Sequence, residues 1–187
     1  MANRRWELAA VIAVTFGIAG CVPLQAPDLN SSPSPRAVFE SDDEALSAAA
    51  EAYSNYQNVE SVITADGGIR PDRIEAVAVR DALRSSLEAS AKFRKNNFHS
   101  VGNFTYKIVG LEQYKSDPTA VQDVVSVYLC LDVSGIDIVN RGGKSVVSPD
   151  RVELQSFEVG FDAIQPGSEK LIVSSRETWT GNSLCEN

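Results

Sequence analysis

Apolar residues change their spacing partway along this chain. From Leu46 they recur at helical intervals through Ala49, Ala50, Tyr53, Tyr56 and Ile63, which predicts one long helix with a single apolar face. Ser41-Asp42-Asp43-Glu44 stands just ahead of that run. It has the form of a capping box, and its acids suit the positive end of a helix dipole. Gly67-Gly68 supplies the stop signal. Pro71 then opens a second helical stretch, in which Ile74, Val77, Ala78, Leu83, Leu87 and Ala91 form the apolar stripe.

After Asn97 the period falls to two. Phe104, Tyr106 and Ile108 alternate with polar residues in a first strand. Val125, Val127, Leu129, Leu131 and Val133 alternate more strictly in the next, which sends Tyr128, Cys130 and Asp132 to the opposite face. Asn140-Arg141-Gly142-Gly143 predicts a hairpin turn between Ile138-Val139 and Val146-Val147. Val152 and Leu154 share one parity while Phe157, Val159 and Phe161 take the other, so a bulge is expected near Gln155-Ser156. Residues 171–180 form a last strand with Trp179 near its end. Helices first and antiparallel strands afterwards is an α+β order, with N-terminal helices packed on the concave side of a curved antiparallel sheet.

Ahead of all this lies a segment of another kind. Arg4 and Arg5 precede a charge-free, mostly apolar stretch over residues 8–20, the layout of a secretory signal. At 1.5 Å per residue such a helix is about 20 Å long, short of the about 30 Å hydrocarbon core it would have to span. Its end, Ile18-Ala19-Gly20-Cys21, resembles a bacterial lipobox. The resemblance implies cleavage after Gly20 and diacylglycerol, with a further acyl chain such as palmitate, on Cys21. Two or three such chains would hold the protein on a membrane surface, at about 0.8 kcal/mol per buried CH₂. Residues 22–40 carry Pro23, Pro27, Pro33 and Pro35 among serines and asparagine, and read as a spacer. The expected organisation is therefore a signal peptide over residues 1–20, a lipidated Cys21 and tether over 21–40, and one domain over 41–187.

The formal charge of −8 becomes more negative once Arg4, Arg5 and Glu7 leave with the signal. An acidic chain lacks the basic surface that nucleic acids and anionic headgroups require, so neither is expected as an electrostatic partner. Two of the three cysteines, Cys130 and Cys185, remain after Cys21. In an oxidising compartment they are expected to pair, contributing about 4 kcal/mol. With one histidine, His99, and no C-x-x-C, they make a poor metal set, and no metal or cofactor is expected. Lys92, Arg94 and Lys95 cluster where the second helix should end, as solvated cations at a helix C-terminus do. Dinucleotide, Walker, nucleophile-elbow and zincin motifs are missing.

Ala52-Tyr53 and Tyr56 on a helix, the strand Val127-Tyr128-Leu129-Cys130-Leu131-Asp132-Val133-Ser134, a Gly-Gly-Lys turn, Trp179 and Cys185 together resemble exported actinobacterial lipoproteins with a nuclear-transport-factor-2-like (NTF2-like, SnoaL-like) cone fold. The resemblance spans residues 43–185. It departs from the group's usual last strand, since Trp179 is followed by Thr180 and Gly181 rather than by apolar residues. What it implies is a cone between helices and sheet, whose candidate pocket lining is Tyr53, Tyr56, Phe104 and Phe161, with Asp132 as the candidate base of an isomerase-like site. Three functions follow as expectations. The first is a non-enzymatic, membrane-anchored extracytoplasmic lipoprotein that binds a partner protein or envelope component. A carrier of a small apolar ligand in the cone comes next, and an enzyme using Asp132 with Tyr53 or Tyr56 last.

Overall fold

A computed structural model describes residues 37–185. The signal, Cys21 and all but the end of the tether lie outside the described residues.

The first helix, α1 (Asp42–Ala65), begins as its capping box predicts: the Ser41 hydroxyl accepts a hydrogen bond from the Glu44 backbone N–H at 3.2 Å. Packed structure extends ahead of Ser41. Phe39 is buried against the edge of the Tyr114 ring, and the Tyr114 hydroxyl accepts from the Phe39 N–H and donates to its carbonyl. A single aromatic is enough to tie residues 37–40 to the core. α1 stops at two glycines with positive φ, and Gly68 is required for more than its backbone. A Cβ there would stand 2.2 Å from the Ser90 carbonyl oxygen of the second helix.

That second helix, α2 (Arg80–Asn96), is shorter than the apolar stripe predicts. The stripe is interrupted: Pro71–Ala76 forms a 3₁₀ turn, after which the chain runs extended beside the last strand. Ala78 bridges Val173 in parallel, with Val79 N–H donating to the Val173 carbonyl at 2.8 Å and Val173 N–H donating to Val77 at 3.2 Å. An exposed sheet edge needs partners, and this segment supplies them. Arg80 restarts the helix from a left-handed backbone (φ 53° lies at Arg70, 49° at Arg80). Its guanidinium pairs with Asp123 at 2.8 Å and with buried Asp162 at 3.3 Å, and these bonds hold the strained residue in place.

The strands are β1 (His99–Gly102), β2 (Thr105–Tyr114), β3 (Val125–Asp132), β4 (Ile136–Val139), β5 (Leu154–Ala163) and β6 (Leu171–Thr178). The main sheet is antiparallel in the order β2-β3-β5-β6, and β1 pairs with β4 in a small separate ribbon. The helices cover one face of the curved main sheet, α1 lying against β2, β3 and β6 and α2 against β6. The mixed α+β class with helices preceding a curved antiparallel sheet is therefore observed.

Three strand expectations need correction. No bulge occurs near Gln155-Ser156, because β5 runs against β3 in unbroken register from Asp132↔Leu154 to Val125↔Phe161. Val152 and Leu154 point away from the core, 68 % and 48 % exposed, so their parity never had to match that of Phe157. The register shifts fall elsewhere, at Ile108/Gly110 and Leu111/Gln113 between β2 and β3 and at Gly160/Phe161 between β5 and β6. They bend the sheet around the helices. Second, Asn140 does turn the chain, its side-chain oxygen accepting from the Gly142 and Lys144 N–H groups, but Val146-Val147 forms no strand: Ser145 meets Val139 in a single antiparallel bridge, and Val146 N–H donates to the Ile138 carbonyl at 2.9 Å. β4 pairs instead with β1. Third, the last strand ends at Thr178; Trp179 adds one more ladder bond to β5, its backbone N–H donating to the Ser156 carbonyl at 2.9 Å, and the residues after it return across the sheet to Ser156 and Cys130.

Candidate functional site

Tyr53, Tyr56 and Phe161 stand in the middle of the core, at most 1 % exposed. A side chain that inaccessible touches no space wide enough for water, so the expected pocket lining is packed against itself and its neighbours. Tyr53 meets Tyr106 edge-on at 4.8 Å and Tyr56 at 5.9 Å. Phe104, half-buried just before β2, packs on the same cluster. Asp132 does not join them. It sits on the other face of β3, where its carboxylate accepts from the Ser134 N–H at 2.8 Å, and bonds from Ser134 hold its pKa below the usual value. A general base for an isomerase-like reaction needs the reverse: desolvation, a raised pKa and a tyrosine facing the same atom.

The chemistry that does gather around the tyrosines involves residues not singled out by the sequence patterns. Glu60, one turn beyond Tyr56 on α1, accepts from the Tyr56 hydroxyl at 3.1 Å and from the Ser86 hydroxyl of α2 at 3.2 Å. Arg176 of β6 pairs with its other oxygen at 3.3 Å. The guanidinium lies 5.2 Å from the centre of the Phe157 ring and 5.8 Å from that of Tyr56, within cation–π range. Gln57 donates to the Tyr53 hydroxyl. Burial opposes the charge on Arg176, but Glu60 and the two phenol oxygens outweigh it and hold the guanidinium protonated. Burial raises both tyrosine pKa values, with Glu60 adding to the rise and Arg176 opposing it. These phenols remain hydrogen-bonded, neutral groups. The network ties both helices to β6.

Among the described residues, no helix lies on the opposite face of the sheet. Its rows follow from the register: Gly110, Tyr128, Glu158 and Glu177 stand side by side across β2, β3, β5 and β6, and Lys107, Cys130 and Ser156 form the next row. The C-terminal tail folds onto that second row. Trp179 N–H donates to the Ser156 carbonyl, Leu184 N–H donates to the Ser156 hydroxyl, and Cys185 is bonded to Cys130 with Cα atoms 5.2 Å apart. The tail thereby lays the Trp179 ring beside Tyr128 at 4.9 Å. Glu112, on the bulged part of β2, accepts from Ser126 in the row above. Partial burial followed by Glu112 and Glu177 raises the Glu158 pKa, and partial burial followed by Glu112 and Glu158 raises that of Tyr128.

The remaining sequence candidates are dispersed. His99 starts β1, half-buried opposite Val139. Arg94 donates to the Gly68 carbonyl at 3.3 Å, while Lys92 and Lys95 are exposed, as solvated cations at a helix end are. A shallow dish of about 600 Å³ lies beside the β1–β4 ribbon, where Arg151 braces the carbonyls of Ile136 and Val133. Among the described residues no helix is long and apolar enough to cross a membrane. No protein-family model and no curated protein matches the chain.

Proposed function

We propose that the chain is a lipoprotein held on the extracytoplasmic face of a cell membrane through acylated Cys21, with an NTF2-like domain that binds a partner protein or an envelope component and carries out no catalysis. The lipobox-like Ile18-Ala19-Gly20-Cys21 supports the address, and the order of two helices followed by a curved sheet supports the fold. One observation carries the binding role: the inner face is filled by Tyr53, Tyr56 and Phe161, whereas the outer face presents Tyr128 and Trp179 with no helix above them among the described residues. A carrier would have to displace core side chains to admit its ligand. A surface reader needs no such opening.

Two measurements test this. Cys21→Ala is expected to shift the protein from the membrane to the soluble extracytoplasmic fraction and to abolish incorporation of labelled palmitate; membrane retention without palmitate would sink the lipid anchor. A photo-cross-linking residue at Gly110, where an added Cβ has nothing within 4 Å, is expected to yield a defined adduct in intact cells. The same residue at exposed Gln165 is expected to yield none. Equal labelling from both positions would remove the binding role of this face.

A further inference from the structure

The outer row breaks a packing rule. Glu158 and Glu177 are direct cross-strand partners on β5 and β6, and like charges in that relation destabilise a sheet. Glu112 brings a third carboxylate to the same neighbourhood. Among the described residues neither Glu158 nor Glu177 forms an ion pair, although arginines elsewhere in the domain pair with Asp66, Asp123, Asp162 and Glu60. Lys107 brings a cation to this face, but one row away and opposite Cys130. Beside the acids lie the two aromatic rings, Tyr128 directly opposite Glu158 and Trp179 against Tyr128. A local conflict that the fold does not relieve points to a use for the site.

We propose that this face docks an arginine-bearing segment of a partner protein, with a guanidinium seated over Tyr128 and Trp179 and paired to Glu158 and Glu177. The assignment rests on the partner-binding role above and specifies its chemistry. Arginine suits the site because its planar cation both stacks on aromatic faces and pairs with carboxylates, whereas an ammonium group is a compact point charge. A second copy of this chain would set carboxylate against carboxylate across a two-fold interface. Anionic headgroups meet the same repulsion. The charge complementarity therefore selects a cationic protein segment.

The test uses the full chain in neutral detergent micelles with a fluorescent hexa-arginine peptide, read by anisotropy. Binding is expected, with a severalfold loss of affinity on raising salt from low levels to about 0.15 M. Glu158→Gln with Glu177→Gln is expected to weaken it about tenfold, the loss of about 1.4 kcal/mol expected when two paired charges go. The exposed control Glu75→Gln is expected to change nothing. The double variant relieves repulsion, so a folding defect would not account for its loss, and Trp179→Phe should bind more weakly than wild type but better than Trp179→Ala. Equal affinity of the wild-type and double-variant proteins overturns the proposal, as does dimerisation through this face. Failure to bind the peptide while Gly110 still cross-links in cells overturns the arginine assignment and leaves partner binding standing; failure of both removes both.

Discussion

At the scale of single residues, the informative positions are those where a polar group lacks what its surroundings should provide. Ser174 is fully buried in β6, and among the described residues its hydroxyl has no hydrogen-bond partner. Leaving a buried hydroxyl unsatisfied costs about 1–3 kcal/mol. Ser174→Ala is thus expected to raise unfolding stability by about 1 kcal/mol in denaturant titration, and a loss of stability would show that the hydroxyl is satisfied after all. Glu158 is a different case. Its folded pKa is raised by partial burial and then by Glu112 and Glu177, so folding favours the protonated form. The associated stability is present at low pH and lost as pH rises through the folded value. Glu158→Gln should therefore stabilise the protein at pH 7 by less than about 1 kcal/mol. The gap from wild type should close as pH falls below the ordinary glutamate value of about 4.3. A gap that persists in acid would mean that the effect is not electrostatic.

At the scale of elements, α1 and β3 were legible because each has one period and one buried face. The capping box, the glycine stop and the Val/Leu alternation describe local geometry, and nothing distant overrides them. The second helix was misjudged for the opposite reason. Ile74, Val77 and Ala78 are apolar at helical spacing, but Ile74 sits in a 3₁₀ turn packed on the two helices while Val77 and Ala78 run along the edge of β6, and sequence spacing does not distinguish these uses from a helix face. Glu60 and Arg176 were missed because the pair spans 116 positions. Two weaker signs existed: Glu60 follows Tyr56 by four residues on the buried side of α1, and Arg176 lies opposite inward-facing Val159. With side chains 19 % and 26 % exposed, the pair is neither superficial nor dry. Arg176→Met, which strands the carboxylate, is expected to cost about 2–3 kcal/mol, and Glu60→Leu in the same protein should recover much of it. Thermal unfolding of the two single variants and the double variant measures the coupling. Strict additivity would show that the network contributes packing alone.

At the scale of the whole molecule, the two faces of the sheet have different roles. The inner face holds the core that makes the domain, and the outer face holds the tail, the disulfide and the uncompensated acids. The Cys130–Cys185 bond closes 55 positions, so replacing both cysteines with alanine should lower stability by about 4 kcal/mol in the chain-entropy account. The inner core should survive that loss. Circular dichroism of the reduced protein should keep its far-ultraviolet signal while Trp179 fluorescence moves toward that of exposed indole; an unmoved Trp179 would mean that the hydrogen bonds to Ser156 hold the tail unaided. The bond also sets an order of events in time. Cys185 lies 55 positions after its partner, which stands on a strand inside the sheet, so the aromatic pair is completed only after β5, β6 and the tail have been laid down and the two thiols have met an oxidant. A copy whose cysteines stay reduced is therefore expected to have its core but not its finished outer surface, and to bind the hexa-arginine peptide more weakly than the oxidised protein.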